Sequence, residues 1–171
     1  MTRSTLFGME AAAHPLYGDV NWLLNRAWLG FGQRKAVALE AVGVTVKEHL
    51  VMAALMSSPM TQLELSALVK LDKSVITGTL DVLEAKGLVV RVPDPRDRRV
   101  RRPTLTSDGR RICRRATAAV AKVERGLLDL LEPSQREVFL SVLRYYTFAE
   151  FADAPEFSAR LREQAARGSA S

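Results

Sequence analysis

Ten arginines are concentrated between residues 91 and 115, where only three aspartates oppose them. Six of the ten lie between Arg91 and Arg102, around the segment Pro93-Asp-Pro-Arg-Asp-Arg-Arg99. Guanidinium groups make bidentate hydrogen bonds with phosphates and base edges, so this cluster suits a polyanion. Ten arginines against three aspartates give residues 91–115 a charge of +7, whereas the whole chain has a net charge of only +6. The positive charge is therefore concentrated in this segment. Charge alone would also fit an anionic membrane or a solvated face.

The elements beside this cluster predict a winged helix-turn-helix. We expect Asp72 to cap a helix over about residues 73–86, which Gly87 ends. The alternation of Leu88–Val92 and Val100–Leu105 predicts two paired strands, with the arginine-rich loop between them. A helix of this size fits the major groove of duplex DNA, and a basic hairpin suits the adjacent backbone. Duplex DNA is therefore the predicted partner.

Upstream of residue 72 the sequence predicts three helices. Apolar residues spaced by three and four indicate a first helix from Leu16 to about Ala41, which Gly43 stops. Two capping boxes, Thr45 with Glu48 and Thr61 with Glu64, begin a second and a third helix. We expect these helices to cover about residues 46–56 and 62–69.

Downstream of the hairpin we predict two more helices. Thr106 is expected to cap a fifth helix over about residues 107–131, and Pro133 to stand in the first turn of a sixth, about residues 134–151. The apolar surface of the terminal helices exceeds what one small core covers, which predicts a symmetric homodimer; a lone helical bundle is the alternative.

The predicted fold class is thus mainly α, a winged helix-turn-helix whose long N- and C-terminal helices form a dimerisation lobe. We expect an N-terminal dimerisation segment at residues 1–44 and the DNA-binding domain at 45–106. A C-terminal dimerisation segment would follow at 107–152, and a partly disordered tail at 153–171.

Three motifs in this region resemble the MarR family of bacterial transcriptional regulators. They are Leu83-Glu-Ala-Lys-Gly-Leu-Val89, Asp94-Pro-Arg-Asp-Arg-Arg99 and Leu105-Thr-Ser-Asp-Gly109. The resemblance implies an obligate dimer that binds a palindromic operator in double-stranded DNA. It also implies that a small aromatic or lipophilic molecule releases the DNA, so that the protein acts as a repressor. An activator, or a winged-helix protein working through protein contacts without an effector, is the alternative.

The fourth helix would present its N-terminal half to the bases. We expect Lys73 to contact phosphate, and Ser74 and Thr77 to bond bases or phosphates. A bond from the Thr77 hydroxyl to its own backbone is the alternative. Gly78 departs from the family, whose members often have arginine there, so part of the discrimination would pass to DNA shape.

In the wing, Asp97 and Arg99 match the family's Asp-x-Arg element. Asp97 is expected to orient an arginine, and Arg99 or Arg98 to enter the minor groove. We assign phosphate contacts to the remaining arginines of the wing. These are Arg96, Arg101 and Arg102.

A candidate ligand pocket lies on the first two helices, in the region where the family's geometry places a cleft. Its residues are Trp22, Trp28, His49 and Met52, which could hold an aromatic molecule with one polar anchor. Packing in the core is the alternative for each. The lone cysteine, Cys113, is expected to be a packed and inert thiol.

Other classes of protein find little support. The sequence has no glycine-rich phosphate loop, no paired cysteines and only two histidines, so we predict no enzyme, no metal and no cofactor. It has neither an apolar run of transmembrane length nor a secretory signal, and a single cysteine fits a reducing compartment. A cytoplasmic protein is expected.

Overall fold

The computed structural model describes residues 15–94 and 101–148, without the side chains of Tyr146 and Phe148. The chain divides into two compact units, Met1–Arg125 and Gly126–Ser171. Within the described ranges it forms six α helices and one antiparallel pair of strands. In chain order these are α1 (Val20–Glu40), α2 (Val46–Ser57), α3 (Gln62–Val69), α4 (Lys73–Ala85), β1 (Val89–Pro93), β2 (Arg101–Leu105), α5 (Ser107–Leu128) and α6 (Pro133–Phe148).

Both predicted capping boxes are present. The Thr45 hydroxyl accepts from the backbone N–H of Glu48, whose carboxylate accepts from the Thr45 N–H at 2.7 Å. Thr61 and Glu64 repeat the arrangement at the start of α3. Each box satisfies two backbone donors that the first turn of a helix leaves free, which explains why both starts could be located from the sequence.

The first helix begins later than the sequence predicted. Pro15–Gly18 form a 3-10 turn, and the Asp19 carboxylate accepts from the backbone N–H of Trp22 at 2.9 Å. Asp19 is therefore the N-cap, and α1 starts at Val20. The aspartate side chain satisfies a first-turn donor at this point, so the helix does not extend back to Leu16.

The predicted glycine stops are confirmed, whereas one predicted cap is not. Gly43 follows α1 with φ +84° and Gly87 follows α4 with φ +66°, a left-handed conformation that glycine adopts at little cost. Asp72 stands at the N-cap position of α4, but its side chain makes no capping hydrogen bond.

Hydrogen bonds from Thr106 join the end of β2 to the two residues that precede β1. Thr106 donates its backbone N–H to the Leu88 carbonyl at 3.1 Å and its hydroxyl to the Gly87 carbonyl at 2.8 Å. The same hydroxyl accepts from the Gly109 N–H at 2.9 Å, which confirms Thr106 as the cap of α5. A Cβ built on Gly109 would lie 1.9 Å from the Leu88 carbonyl oxygen. Only glycine lets α5 approach the strand this closely.

The core of the first unit is apolar and draws on every helix from α1 to α5 and on both strands. α4 contributes Ile76, Leu80 and Leu83, which are at most 1% exposed. On α5 the buried residues are Gly109, Cys113, Ala116 and Val120, spaced by four, three and four. This spacing is one face of a helix, so the opposite, arginine-rich face of α5 stays in solvent.

The α5 helix ends at Leu128, three residues before the predicted end. Leu130 and Leu131 then donate to the carbonyls of Leu127 and Leu128 in a tight turn, and α6 begins at Pro133. Proline disfavours a helical conformation in the residue before it and lacks an N–H, so the helix cannot run on. Within the described ranges, no helix has the length and apolarity that crossing a membrane would require.

Candidate nucleic-acid interface

The N-terminal half of α4 presents a polar face to solvent. Lys73, Ser74 and Gly78 are exposed, while Ile76 and Leu80 on the other side of the helix are buried. Ile76, Leu80 and Leu83 thus hold α4 to the core, and three of the four predicted recognition residues are exposed to a ligand. The packing of α4 follows directly from the spacing of its apolar residues.

Thr77, the fourth predicted recognition residue, makes hydrogen bonds to two other residues. Its hydroxyl donates to the Lys73 carbonyl at 2.8 Å and accepts a hydrogen bond from the Gln62 side-chain amide. A hydroxyl has one proton, which Thr77 here gives to its own helix. Gln62, at the start of α3, was not among the predicted residues because nothing local links it to a residue fifteen positions away.

Gly78 leaves open space on the exposed face. A Cβ at this position would meet no heavy atom within 4 Å, and the backbone there is ordinary helix. Packing therefore does not require glycine. Because glycine has no side chain, the backbone of α4 is exposed at Gly78, a position predicted to contact DNA.

Beside α4, the β1–β2 hairpin forms the stem of the wing. Val89 pairs with Leu105 at its base and Pro93 pairs with Arg101 at its far end. The predicted wing residues Arg96, Asp97, Arg98 and Arg99 lie outside the described residues. Arg101 is exposed and makes no ion pair with a described residue, so it is available to a phosphate.

Arg102 lies beside Arg101 but has a partner within the hairpin. Its Nε donates to the carboxylate of Asp94, whose side chain is 5% exposed and that of Arg102 26%. A buried carboxylate paired with arginine closes the stem below the loop. The arginine–aspartate pair predicted at Asp97 lies outside the described residues, and the pair of Arg102 with Asp94 was not predicted.

A third arginine of the cluster, Arg91, is also paired. Its guanidinium donates to Asp81 and to Glu84 on α4, both at 2.5 Å. The hydrogen bond with Asp81 is the main cause that raises the pKa of Arg91 above its ordinary value. Arg91 was counted in the basic cluster, but its acid partners precede it by ten and seven residues, and only the turn at Gly87 brings them together.

The four residues of the candidate ligand pocket occupy different surroundings. Trp28 is 70% exposed, whereas Met52 is fully buried in the core. Trp22 packs edge-to-face on Tyr17, with ring centroids 5.6 Å apart. A groove of about 510 Å³ beside the end of α1 contains none of the four. Its lining residues are Ala36, Glu40, Gly43, Val44, Thr45, Val46 and Lys47.

His49, the remaining pocket residue, is 6% exposed, and its Nε2 lies 3.2 Å from the Thr117 hydroxyl. Its Nδ1 is buried without a hydrogen bond to any described residue. Burial, and second the charge of Lys35, lower the pKa of His49. The imidazole is therefore held in its neutral form between α2 and α5.

Cys113 is 2% exposed, and burial raises the pKa of its thiol. The thiolate is the reactive form of cysteine, so a raised pKa and a buried position both make this group unreactive. This agrees with the predicted packed thiol.

Comparison with known proteins tests the resemblance. A sequence model described as "MarR family" matches residues 42–100, which contain α2, α3, α4 and β1. The chain belongs to the MarR family. An uncharacterized HTH-type transcriptional regulator of Bacillus subtilis, YhbI, is 31% identical over 100 residues. That alignment covers 58% of this MarR-family chain and 65% of YhbI.

Solved structures agree over a longer stretch. CouR from Rhodococcus jostii RHA1, bound to p-coumaroyl-CoA, is 28% identical, with a TM-score of 0.72 over 82% of this chain and 100% of that one. The transcriptional repressor CouR bound to a 23-mer DNA duplex is 30% identical. It has a TM-score of 0.70 over 75% of this chain and 92% of that one. The mainly helical, winged helix-turn-helix fold is thereby confirmed.

Proposed function

We propose that this protein is a dimeric, sequence-specific DNA-binding repressor that a small molecule releases from its operator. The observation that supports this most is the exposed polar face of α4 beside a wing stem whose Arg101 is exposed and makes no ion pair with a described residue. The same winged fold is bound to duplex DNA in CouR, which is 30% identical.

Lys73 and Ser74 begin α4 and are exposed, which supports the proposal that they enter a major groove with the N-terminus of the helix. The Thr77 hydroxyl donates its proton to the Lys73 carbonyl. Toward a base it would therefore act only as a hydrogen-bond acceptor, for example from the amino group of adenine or cytosine. Arg101, together with Arg96, Arg98 and Arg99 of the loop, would bind the phosphates and the minor groove.

The proposal of a homodimer rests on α1. Val20 is 68% exposed, Leu24 56%, Trp28 70% and Phe31 38%, and their spacing puts them on one side of the helix. Four large apolar side chains on one helix make an exposed patch that monomeric soluble proteins rarely tolerate. Two copies related by a twofold axis would cover this surface and present two winged helices to the two halves of a palindrome.

Release by a small molecule is proposed by analogy with CouR, which has been solved with p-coumaroyl-CoA. The candidate pocket residues Trp22, Trp28, His49 and Met52 remain a proposal for the site. An aromatic ligand is the chemistry that a tryptophan and a buried histidine would recognise.

One experiment tests the DNA-binding role directly. Duplexes would be selected by the purified protein from a random pool, and affinity for the selected duplex measured at several salt concentrations beside a scrambled duplex. We expect tight binding to the selected sequence and a steep fall with salt, because each neutralised phosphate contributes a slope of about −0.9. A protein that enriches no sequence would contradict the proposal.

A further inference from the structure

Arg91 connects the wing to the recognition helix. It lies on β1, and its Nη2 donates to Oδ1 of Asp81 while its Nη1 donates to Oε2 of Glu84. The two acids are three positions apart on α4 and thus share one face of that helix. The planar guanidinium spans both, which a lysine ammonium could not do with the same geometry.

The charges around Arg91 make it a poor contact for DNA. Its side chain is 29% exposed, whereas those of Asp81 and Glu84 are 57% and 40% exposed. The three groups together have a net negative charge. A phosphate approaching the arginine would therefore also approach two carboxylates, which repel it.

The energy of such a bridge is small, but its geometry is well defined. Ion pairs this exposed contribute little to folding stability. Two bonds from one planar guanidinium to two carboxylates on α4 do, however, constrain the direction of the strand relative to the helix. The other ion pair in the described part of the wing, Arg102 with Asp94, lies within the hairpin and cannot set this angle.

We propose that Arg91 is a positioning residue for DNA recognition, whose bridge to Asp81 and Glu84 holds the wing at a set angle to α4. Both elements can then meet one duplex in register. The inference rests on the proposed function, since only a DNA-binding protein has two such elements to align. Arg91 itself makes no contact with the DNA.

The decisive variants remove the acids, because electrostatics and positioning then predict opposite results. Asp81→Asn with Glu84→Gln deletes two negative charges near the duplex, which by charge alone strengthens binding. If the bridge positions the wing, this double variant instead binds the selected duplex about tenfold more weakly. We expect its affinity for scrambled DNA to be unchanged or higher, because that binding requires no register.

Variants of Arg91 supply the second readout. Arg91→Lys keeps the charge and loses the two-point bridge, so we expect the same tenfold loss for the selected duplex. Arg91→Ala should leave the slope of log affinity against log salt unchanged, since no phosphate contact is removed. A matched control is Arg111→Ala, because Arg111 pairs with Asp108 inside α5 and joins no two elements. It should leave selectivity unchanged.

Two results would overturn the inference while the wild type still selects a sequence. One is a slope that falls by about 0.9 for each Arg91 removed, which identifies a phosphate contact. The other is unchanged or tighter binding by the double amide variant, whose exposed positions on α4 should not prevent folding. A wild type that selects no duplex overturns the proposed function, and this inference with it.

Discussion

At the scale of single residues, Gly109 packs so closely against the backbone of Leu88 that there is no space for a side chain. Its Cβ position lies 1.9 Å from the Leu88 carbonyl oxygen and 2.9 Å from the carbonyl carbon, both of them backbone atoms that cannot rotate away. The motif Leu105-Thr-Ser-Asp-Gly109 thus combines a cap, Thr106, with a close approach. The two together set α5 against the root of the wing.

We predict that Gly109→Ala destabilises the fold by about 1–3 kcal/mol, the usual cost of overpacking, despite the better helix propensity of alanine. Gly126→Ala is the matched control, because a Cβ there meets nothing within 4 Å. It should stabilise α5 by up to about 1 kcal/mol. Urea unfolding of the two variants measures both effects, and equal stability would show that the approach at Leu88 is not tight.

A second prediction at this scale concerns the stability of the protein at mildly acidic pH. Burial, and second Lys35, lower the pKa of His49 from its ordinary value of 6.5. Below about pH 6.5 the unfolded chain therefore gains a proton that the folded chain does not, and stability falls until the pH passes the folded pKa. The slope can reach about 1.4 kcal/mol per pH unit.

His49→Gln should flatten this dependence between pH 7.5 and 5.5, because glutamine does not titrate and can still bond the Thr117 hydroxyl. Thermal unfolding of both proteins across that range provides the measurement. The second histidine, His14, is present in both proteins, so the difference between them isolates His49. Parallel curves would mean that folding does not lower the pKa of His49.

At the scale of elements, α3 and α4 are tied by a polar contact as well as by their apolar core. The Gln62 amide donates to the Thr77 hydroxyl, which donates in turn to the Lys73 carbonyl. We predict that Gln62→Ala and Thr77→Val each cost about 1 kcal/mol of unfolding free energy, and that the double variant costs less than their sum.

The control for this pair is Thr79→Val. Thr79 donates to the Val75 carbonyl within its own helix, at 2.7 Å, and makes no hydrogen bond with a described residue of α3. Its effect should therefore add to that of Gln62→Ala in a double-mutant cycle. If Thr77→Val were equally additive, the bond between the two helices would contribute nothing to stability.

At the scale of the whole molecule, the exposed apolar face of α1 predicts self-association. Trp28→Glu places a charge in the middle of that face, and a charge buried without a partner is strongly unfavourable. We expect the variant to be monomeric by sedimentation at micromolar concentration. Its affinity for a palindromic duplex should fall at least a hundredfold, since the two half-sites are no longer bound together.

Leu63→Glu is the control for this prediction, because Leu63 on α3 is 73% exposed and Trp28 70%. A dimer that depends on α1 should survive the change at Leu63 and not the change at Trp28. Loss of the dimer in both variants would place the interface elsewhere.

Local chemistry is what the sequence alone was able to determine. Some helix ends depend on residues within a few positions of one another, and these ends could be predicted. They are the two starts with capping boxes, the stops at Gly43 and Gly87, and the start capped by Thr106. An amphipathic helix beside two strands with an arginine-rich loop predicted the winged helix-turn-helix, and the apolar spacing of α4 predicted which of its faces would be exposed.

Tertiary structure alone decided which of the predicted groups are free. Arg91 and Arg102 belong to the same arginine-rich run as Arg101, yet they are bound to carboxylates and Arg101 is not bound to any described one. Thr77 is held by Gln62, and His49 and Met52 are buried while Trp28 is exposed. These outcomes depend on contacts between residues distant in sequence, which form only when the chain has folded and which no local pattern specifies.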